Sequence, residues 1–143
     1  MKRWMGLAFA PAVLALGGCA SAYSEPAACP PGETQHQVAE LTFGRNIGQT
    51  VGVSEAEFTQ FLDAEVTPRF PDGLTVQDSE GRWLFKGVLY REPGKVLMLI
   101  LRHPDDRQKL SQIAAAYERR FRQDAVLIRV RPECVLFHMA KPG

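Results

Sequence analysis

The chain has no surplus of charge of either sign, no apolar run long enough to span a bilayer, and few of the residues from which metal sites are made. Its 143 residues carry 17 basic and 16 acidic side chains, so the broad positive potential that draws nucleic acid is missing. Three histidines and three cysteines are present, and none falls in the compact Cys/His spacing of a zinc site. A membrane-spanning helix needs ~20 apolar residues; the run Met5–Leu16 is shorter and ends in Gly17-Gly18. No serine stands on the strained strand-to-helix elbow that a nucleophile uses. Ser54, Ser79 and Ser111 fall at a cap, at a bend and inside a helical pattern. No residue is therefore assigned to catalysis, to a metal or to a cofactor. There are no internal repeats and no long low-complexity runs, which leaves one domain.

What is present begins at the N-terminus. Lys2 and Arg3 precede Met5–Leu16, and Leu16-Gly17-Gly18-Cys19 follows. A positive start, an apolar stretch of about 7–15 residues and a small-residue cleavage site make an export signal. This order resembles a bacterial lipoprotein signal with its lipobox. The resemblance implies lipidation at Cys19 and anchoring by two or three acyl chains, where one chain alone binds marginally. It also implies that Ala20 directs the protein to the outer membrane, on its periplasmic face in the bacterial cell envelope. The division is then a signal peptide over 1–18, a lipidated cysteine and Ala/Pro/Ser-rich tether over 19–34, and one domain over 35–143. Ordinary cleavage after Ala20-Ser21-Ala22 is the rival, and it would discard Cys19.

Loss of Lys2 and Arg3 with the signal leaves 15 basic against 16 acidic residues. Two cysteines remain beyond Cys19: Cys29 and Cys134. An oxidising compartment favours a bridge between them.

Hydrophobic periodicity gives the order β-α-β-β-α-β. Val38–Phe43 alternates as a strand. Ser54 with Glu57 forms a capping box, flanked by Val53 and Phe58 at the staple positions. Phe58, Phe61, Leu62 and Val66 follow helical spacing, and Pro68 ends the helix. Pro71-Asp72-Gly73 is a turn. A second strand opens at Leu74, bends at Asp78–Gly81, resumes over Arg82–Phe85, and turns at Lys86-Gly87 into Val88–Tyr90. Pro93-Gly94 interrupts again. Val96–Leu101 is apolar throughout, as in a strand covered on both faces. The second helix starts near Pro104 and buries Leu110, Ile113, Ala114, Tyr117 and Phe121. The last strand runs from Ala125 to Arg131 and resumes after Pro132. The expectation is an α+β, ferredoxin-like βαββαβ sandwich, an antiparallel sheet with two helices on one face. First and last strands are neighbours in that topology, which brings Cys29 towards Cys134.

At Thr67-Pro68-Arg69-Phe70-Pro71-Asp72-Gly73-Leu74-Thr75-Val76 the chain resembles an uncharacterised family of small bacterial secreted and lipid-anchored domains. Ser54–Phe58, Arg91–Val96, Tyr117–Phe121 and Cys134–Phe137 match its other blocks, and Phe58 stands where tryptophan is expected. The resemblance implies one domain and the cysteine pair, and it brings no activity.

Candidate ligand-binding residues are few. Arg69 with Asp72 offers a guanidinium for an anion, or else a helix-end cation beside a fixed turn. Trp83, Tyr90, Arg91 and Glu92 cluster on the long hairpin, to line a pocket or to pair across strands. His36 and His138 are the one suggestive couple for a metal. Arg119, Arg120 and Arg122 close the second helix as a solvated face or a headgroup contact. The reading is a lipid-anchored extracytoplasmic domain with a binding or envelope-accessory role, more a binder than an enzyme. Its partners are the membrane, through the N-terminal lipid, and an unknown envelope protein or small ligand; nucleic acid is not among them. The alternative is an enzyme or small-molecule carrier on a dimeric, α/β-barrel-like ferredoxin fold, closed as a homodimer through the sheet face.

Overall fold

A computed structural model of the chain describes residues 28–139. The signal, Cys19 and most of the tether lie outside the described residues. Four strands form one antiparallel sheet: β1 (Thr34–Gly44), β4 (Thr75–Phe85), β5 (Val88–Leu101) and β6 (Leu127–Val135). Their spatial order is β4-β5-β1-β6. A two-stranded ribbon of β2 (Asn46–Ile47) and β3 (Thr50–Val51) follows β1. Two helices, α1 (Glu55–Phe61) and α2 (Asp106–Phe121), complete an α+β architecture compatible with a ferredoxin-like arrangement. No helix among the described residues is long and apolar enough to cross a membrane.

The core lies between the helices and one sheet face. Alternation on β1 sends Ala39, Leu41 and Phe43 to that face, and alternation on β5 sends Leu97, Leu99 and Leu101 beside them. Leu110, Ile113, Tyr117 and Phe121 of α2 and Phe58 and Phe61 of α1 close over them. Phe43 is the centre of an aromatic cluster. Its ring meets Tyr117 at 4.7 Å, Phe58 at 5.7 Å and Phe61 at 6.0 Å, in edge-on geometry, which aromatic quadrupoles favour. The opposite sheet face is only partly covered. Val96 and Ile100 are half-buried and Met98 is 39% exposed, while Phe137, beyond β6, walls a small cleft with Met98 and Ile100.

Local signals act as the sequence predicts. Ser54 Oγ accepts the Glu57 N–H at 3.2 Å, and the Glu57 carboxylate accepts the Ser54 N–H at 2.9 Å. The helix then widens into a π turn over Leu62–Val66, where the Thr67 N–H reaches the Leu62 carbonyl at 2.8 Å. Pro68 lacks an N–H and crowds the carbonyl four residues back, so a regular α-helix cannot continue through it. Lys86 and Gly87 both take positive φ, 49° and 77°, the geometry of a two-residue hairpin turn.

Three expected interruptions are absent, and each has a tertiary reason. No bend occurs at Asp78–Gly81, because Asp78 faces Lys95 across the ladder and pairs with it. No break occurs at Pro93-Gly94. Gly94 lies against Gly44 so closely that a Cβ there would stand 2.8 Å from the Phe43 carbonyl oxygen. Pro132 sits inside β6, an edge strand, where its missing donor is tolerated. The glycine-bearing loop after β1 holds the β2–β3 ribbon, which short polar sequence did not signal.

Cys29 and Cys134 are bridged, with Cα atoms 5.5 Å apart across 105 residues. Gln35 pairs with Cys134 in the β1–β6 ladder, so the bridge straps the N-terminal segment to the far end of the sheet. Core, ladders and bridge all close within residues 28–139, a self-contained folding unit.

Two tests follow from this packing. Reducing the bridge should lower unfolding free energy by about 2–4 kcal/mol, read by urea titration with and without reductant; two free thiols in unreduced, unfolded protein would show that no bridge forms. Gly94→Ala should destabilise by more than about 2 kcal/mol. Gly81→Ala, whose Cβ would meet nothing nearer than 3.8 Å, should stay within about 0.5 kcal/mol of the parent; equal costs would mean the strands do not approach closely at Gly94.

Candidate ligand cleft

Two clefts stand at opposite ends of the sheet. The larger, about 420 Å³, lies between the Pro68–Gly73 turn and the start of α2. Its charges are mostly spent on the fold. Arg69 pairs with Glu65 at 2.9 Å and donates to the Glu65 carbonyl, so it caps the π turn and does not reach Asp72. Asp106 is 2% exposed. Its Oδ2 accepts the Arg102 and His103 N–H groups at 2.7 and 2.8 Å, and its Oδ1 meets Lys109 at 3.0 Å. Burial works against its charge. The His103 N–H, the Lys109 ammonium and the Arg102 N–H outweigh that and hold the carboxyl below the usual carboxylate range. Arg102 lies over the Phe137 ring at 4.8 Å. This end reads as a braced helix start.

The second cleft, about 370 Å³, lies where β1 ends, beside the base of the β4–β5 hairpin and the loop after α2. Trp83, Glu92, Asn46, Arg122, Gln123 and Asp124 line it. Glu92 lies over Gly44, where any side chain would collide with its carboxylate, and its Oε1 accepts the Asn46 N–H at 2.9 Å. Gln123 Nε2 donates to the Asn46 carbonyl at 2.7 Å. Among the described residues, Asn46 Oδ1 is buried without a hydrogen-bond partner. Trp83 is 44% exposed and stacks on Tyr90, centroids 5.5 Å apart and planes 9° apart.

Arg122 is the outlier of this cleft. It ends α2 in the left-handed region, φ 53° and ψ 46°, a position glycine takes by default. A side chain there costs about 1 kcal/mol or more. Among the described residues, no hydrogen bond or ion pair engages the Arg122 or Asp124 side chain.

The hairpin candidates are therefore divided. Trp83 and Glu92 line one cleft; Tyr90 backs the Trp83 ring; Arg91 is exposed, and its carbonyl accepts Asn46 Nδ2 at 3.4 Å. Arg69 lies at the other end of the sheet. Sequence reasoning did not single out Asn46, Gln123 or Asp124, and it treated Arg122 only as part of a basic face. A Gln-Asp pair just past a helix carries no signal until the register of β1 is known. His36 meets the edge of the Phe137 ring at 6.1 Å, and no metal-holding group of three His, Cys, Asp or Glu exists among the described residues.

Buried cations brace the cleft from behind. Arg45 and Lys95 are 8% and 7% exposed. Arg45 Nε donates to the Val53 carbonyl at 2.8 Å and its guanidinium pairs with Glu55. Lys95 pairs with Asp78 and, at 2.7 Å, with Glu55. The Asp78 and Glu55 hydrogen bonds raise the Lys95 pKa against the effect of burial.

No curated protein matches this chain in sequence. Its fold is similar to solved structures of a phage SAM lyase, one in complex with S-methyl-5′-thioadenosine and one in the apo state. Each has a TM-score of 0.55 at 13% identity, over 82% of this chain and 100% of the phage chain; the likeness is one of fold. A family model described as a protein of unknown function, DUF3574, matches residues 38–137, which contain all five of the sequence blocks in full. The chain belongs to the DUF3574 family.

Proposed function

We propose that this protein is an exported, lipid-anchored binding domain on a ferredoxin-like scaffold, which holds a small polar ligand in the Trp83 cleft without transforming it. The scaffold reading is supported by the βαββαβ order and by β1 lying between β5 and β6. Anchoring rests on the lipobox at Leu16–Cys19 and on the bridge, which holds the start of the domain about ten residues from the lipid-bearing position.

One observation carries the ligand reading: a non-glycine residue, Arg122, is kept in a strained conformation at the cleft, and among the described residues its guanidinium has no ion-pair or hydrogen-bond partner. Strain of this kind persists only where the surrounding structure over-determines it, and it clusters at active sites and ligand clamps. The wall opposite supplies an aromatic face, Trp83, and a carboxylate, Glu92. A planar ring with hydroxyl or amino donors for the carboxylate and a ring-nitrogen or oxygen acceptor for the guanidinium meets all three. A volume of about 370 Å³ falls within the usual range for small ligands, about 300–1,000 Å³. S-methyl-5′-thioadenosine, the ligand in the phage structure, has a planar purine and ribose hydroxyls and is the first probe.

The second reading, an enzyme or carrier completed by another copy across the open sheet face, draws on Met98, 39% exposed on that face. A monomeric mass at high concentration would end it.

Without the signal, Trp83 is the only tryptophan in the chain, so its emission reports on the cleft. Titration with S-methyl-5′-thioadenosine should change that emission, with calorimetry giving a matching affinity. Arg122→Gly should weaken binding at least about tenfold while raising stability by about 0.5–1 kcal/mol, because glycine relieves the backbone. Unchanged binding by Arg122→Gly, or no response to the nucleoside, overturns the assignment. Mass spectrometry of the membrane form should find acyl chains on an N-terminal Cys19; an unmodified start at Tyr23 ends the anchor reading.

A further inference from the structure

The β4–β5 hairpin runs well beyond the four-stranded sheet. β1 accompanies β5 only from Leu101 to Gly94, the Pro93 carbonyl accepts the Arg45 N–H at 3.1 Å, and from Glu92 outward the strand ladder runs only between the two hairpin strands. This arm has the sequence Gly81-Arg82-Trp83-Leu84-Phe85-Lys86-Gly87-Val88-Leu89-Tyr90-Arg91. Leu84 is 73% exposed, Phe85 55%, Val88 54% and Leu89 50%. Soluble surfaces leave single apolar residues exposed, but a contiguous patch marks a contact site.

Register sorts the arm into two faces. Trp83 opposes Tyr90 and Phe85 opposes Val88 on one; Leu84 opposes Leu89 and Arg82 opposes Arg91 on the other. Every charge from Gly81 to Arg91 is positive. Arg82 and Arg91 stand directly across the ladder, a pairing of like charges that destabilises an isolated hairpin. Glu80 answers Arg82 at 3.3 Å in an exposed pair. Lys86 sits at the tip with its ammonium 5.3 Å over the Phe85 ring. Apolar tips, a Trp/Tyr collar and flanking cations that reach outward are the chemistry of a bilayer interface.

We propose that the arm is a second membrane contact, seating Leu84, Phe85, Val88 and Leu89 in the interface of an anionic lipid surface while Arg82, Lys86 and Arg91 meet phosphate headgroups. Charge complementarity chooses this occupant: an anionic surface relieves the Arg82–Arg91 opposition, which a second identical arm would double. Geometry makes the contact bipolar. Cys29–Cys134 lies at the start of β1, and the arm extends past its end. Ten residues of β1 and six of β5 place the tip about 50 Å from the bridge at ~3.3 Å per residue. A domain held at one end by lipid and at the other by the arm lies along the bilayer, and the anchor supplies the local concentration that lets a weak arm suffice. This inference does not rest on the ligand reading.

The test uses residues 28–139 with the bridge formed, so that no lipid chain contributes. Sedimentation with phosphatidylglycerol/phosphatidylcholine vesicles should show binding that salt weakens, with a blue shift of Trp83 emission, and phosphatidylcholine alone should bind far less. Leu84→Ser with Leu89→Ser should lose at least about tenfold in vesicle affinity. Lys86→Glu should lose several-fold, and Leu127→Ser, an exposed apolar residue off the arm, should match the parent. These positions lie outside the core, and an unchanged circular dichroism spectrum verifies folding. Equal binding to both vesicle types, no binding, or unchanged affinity of the double variant overturns the proposal. So does self-association of the parent that the double variant abolishes while vesicles are ignored, which would make the arm an interface between copies.

Discussion

The close approach of β1 and β5 at Gly44 and Gly94 is the constraint from which the rest of this structure is hung. With no Cβ on either glycine, the strands stay in register to the end of β1. On the core side, the Tyr117 hydroxyl donates to the Gly44 carbonyl at 2.7 Å and its ring fills the gap beside Phe43. Burial pushes the Tyr117 hydroxyl pKa up, so it stays a neutral donor. On the other side the space over Gly44 admits the Glu92 carboxylate, which turns the chain into the β2–β3 ribbon through the Asn46 N–H. A larger residue at 94 would press on the Phe43 carbonyl and force the strands apart, whereas one at 44 would displace the Glu92 carboxylate and release its hold on the Asn46 N–H.

The buried cations belong to the same seam. Arg45 follows Gly44 and Lys95 follows Gly94. Desolvated cations are costly unless paired, and the pairing draws on three elements: Glu55 opens α1, Asp78 sits in β4, and the Val53 carbonyl lies just before the cap. Together they fix where α1 begins relative to the sheet. Hydrogen bonding to Lys95 holds the Glu55 and Asp78 carboxyls below the usual range. Their contribution is present above the ordinary carboxylate range and fades as pH falls through it. Both carboxylates are largely exposed, so the effect is screened and the network serves chiefly to locate α1.

Local chemistry was legible in the sequence; tertiary reasons were not. The Ser54–Glu57 capping box, the Leu110–Phe121 stripe and the Lys86-Gly87 turn depend on neighbours within a few residues, and each stands in the structure as read. Glycine and proline misled wherever their partner lay far along the chain. Gly94 reads as a break until Phe43 is known to pass beside it, and Pro132 reads as one until β6 is known to be an edge. The cleft divides the same way. Trp83 and Glu92 were readable as hairpin neighbours, whereas Asn46 and Arg122 join them only through the β1–β5 register and the length of α2. Arg69 drew attention as a cation in a distinctive turn, yet Glu65, one helical turn earlier, already answers it.

The two ends of the sheet differ in how completely their polar groups are satisfied. At the bridge end, Asp106, Lys109 and Arg69 are answered from within the fold, and the Phe137 ring lies beside Arg102 and His36. At the arm end, Arg122 holds a strained backbone, Asn46 Oδ1 lacks a donor and Arg82 opposes Arg91. A chain under selection for stability alone has simple remedies: glycine at 122, an acid at 82 or 91, polar residues at 84 and 89. Their absence is concentrated at one pole, while most charges at the opposite pole are answered from within the fold.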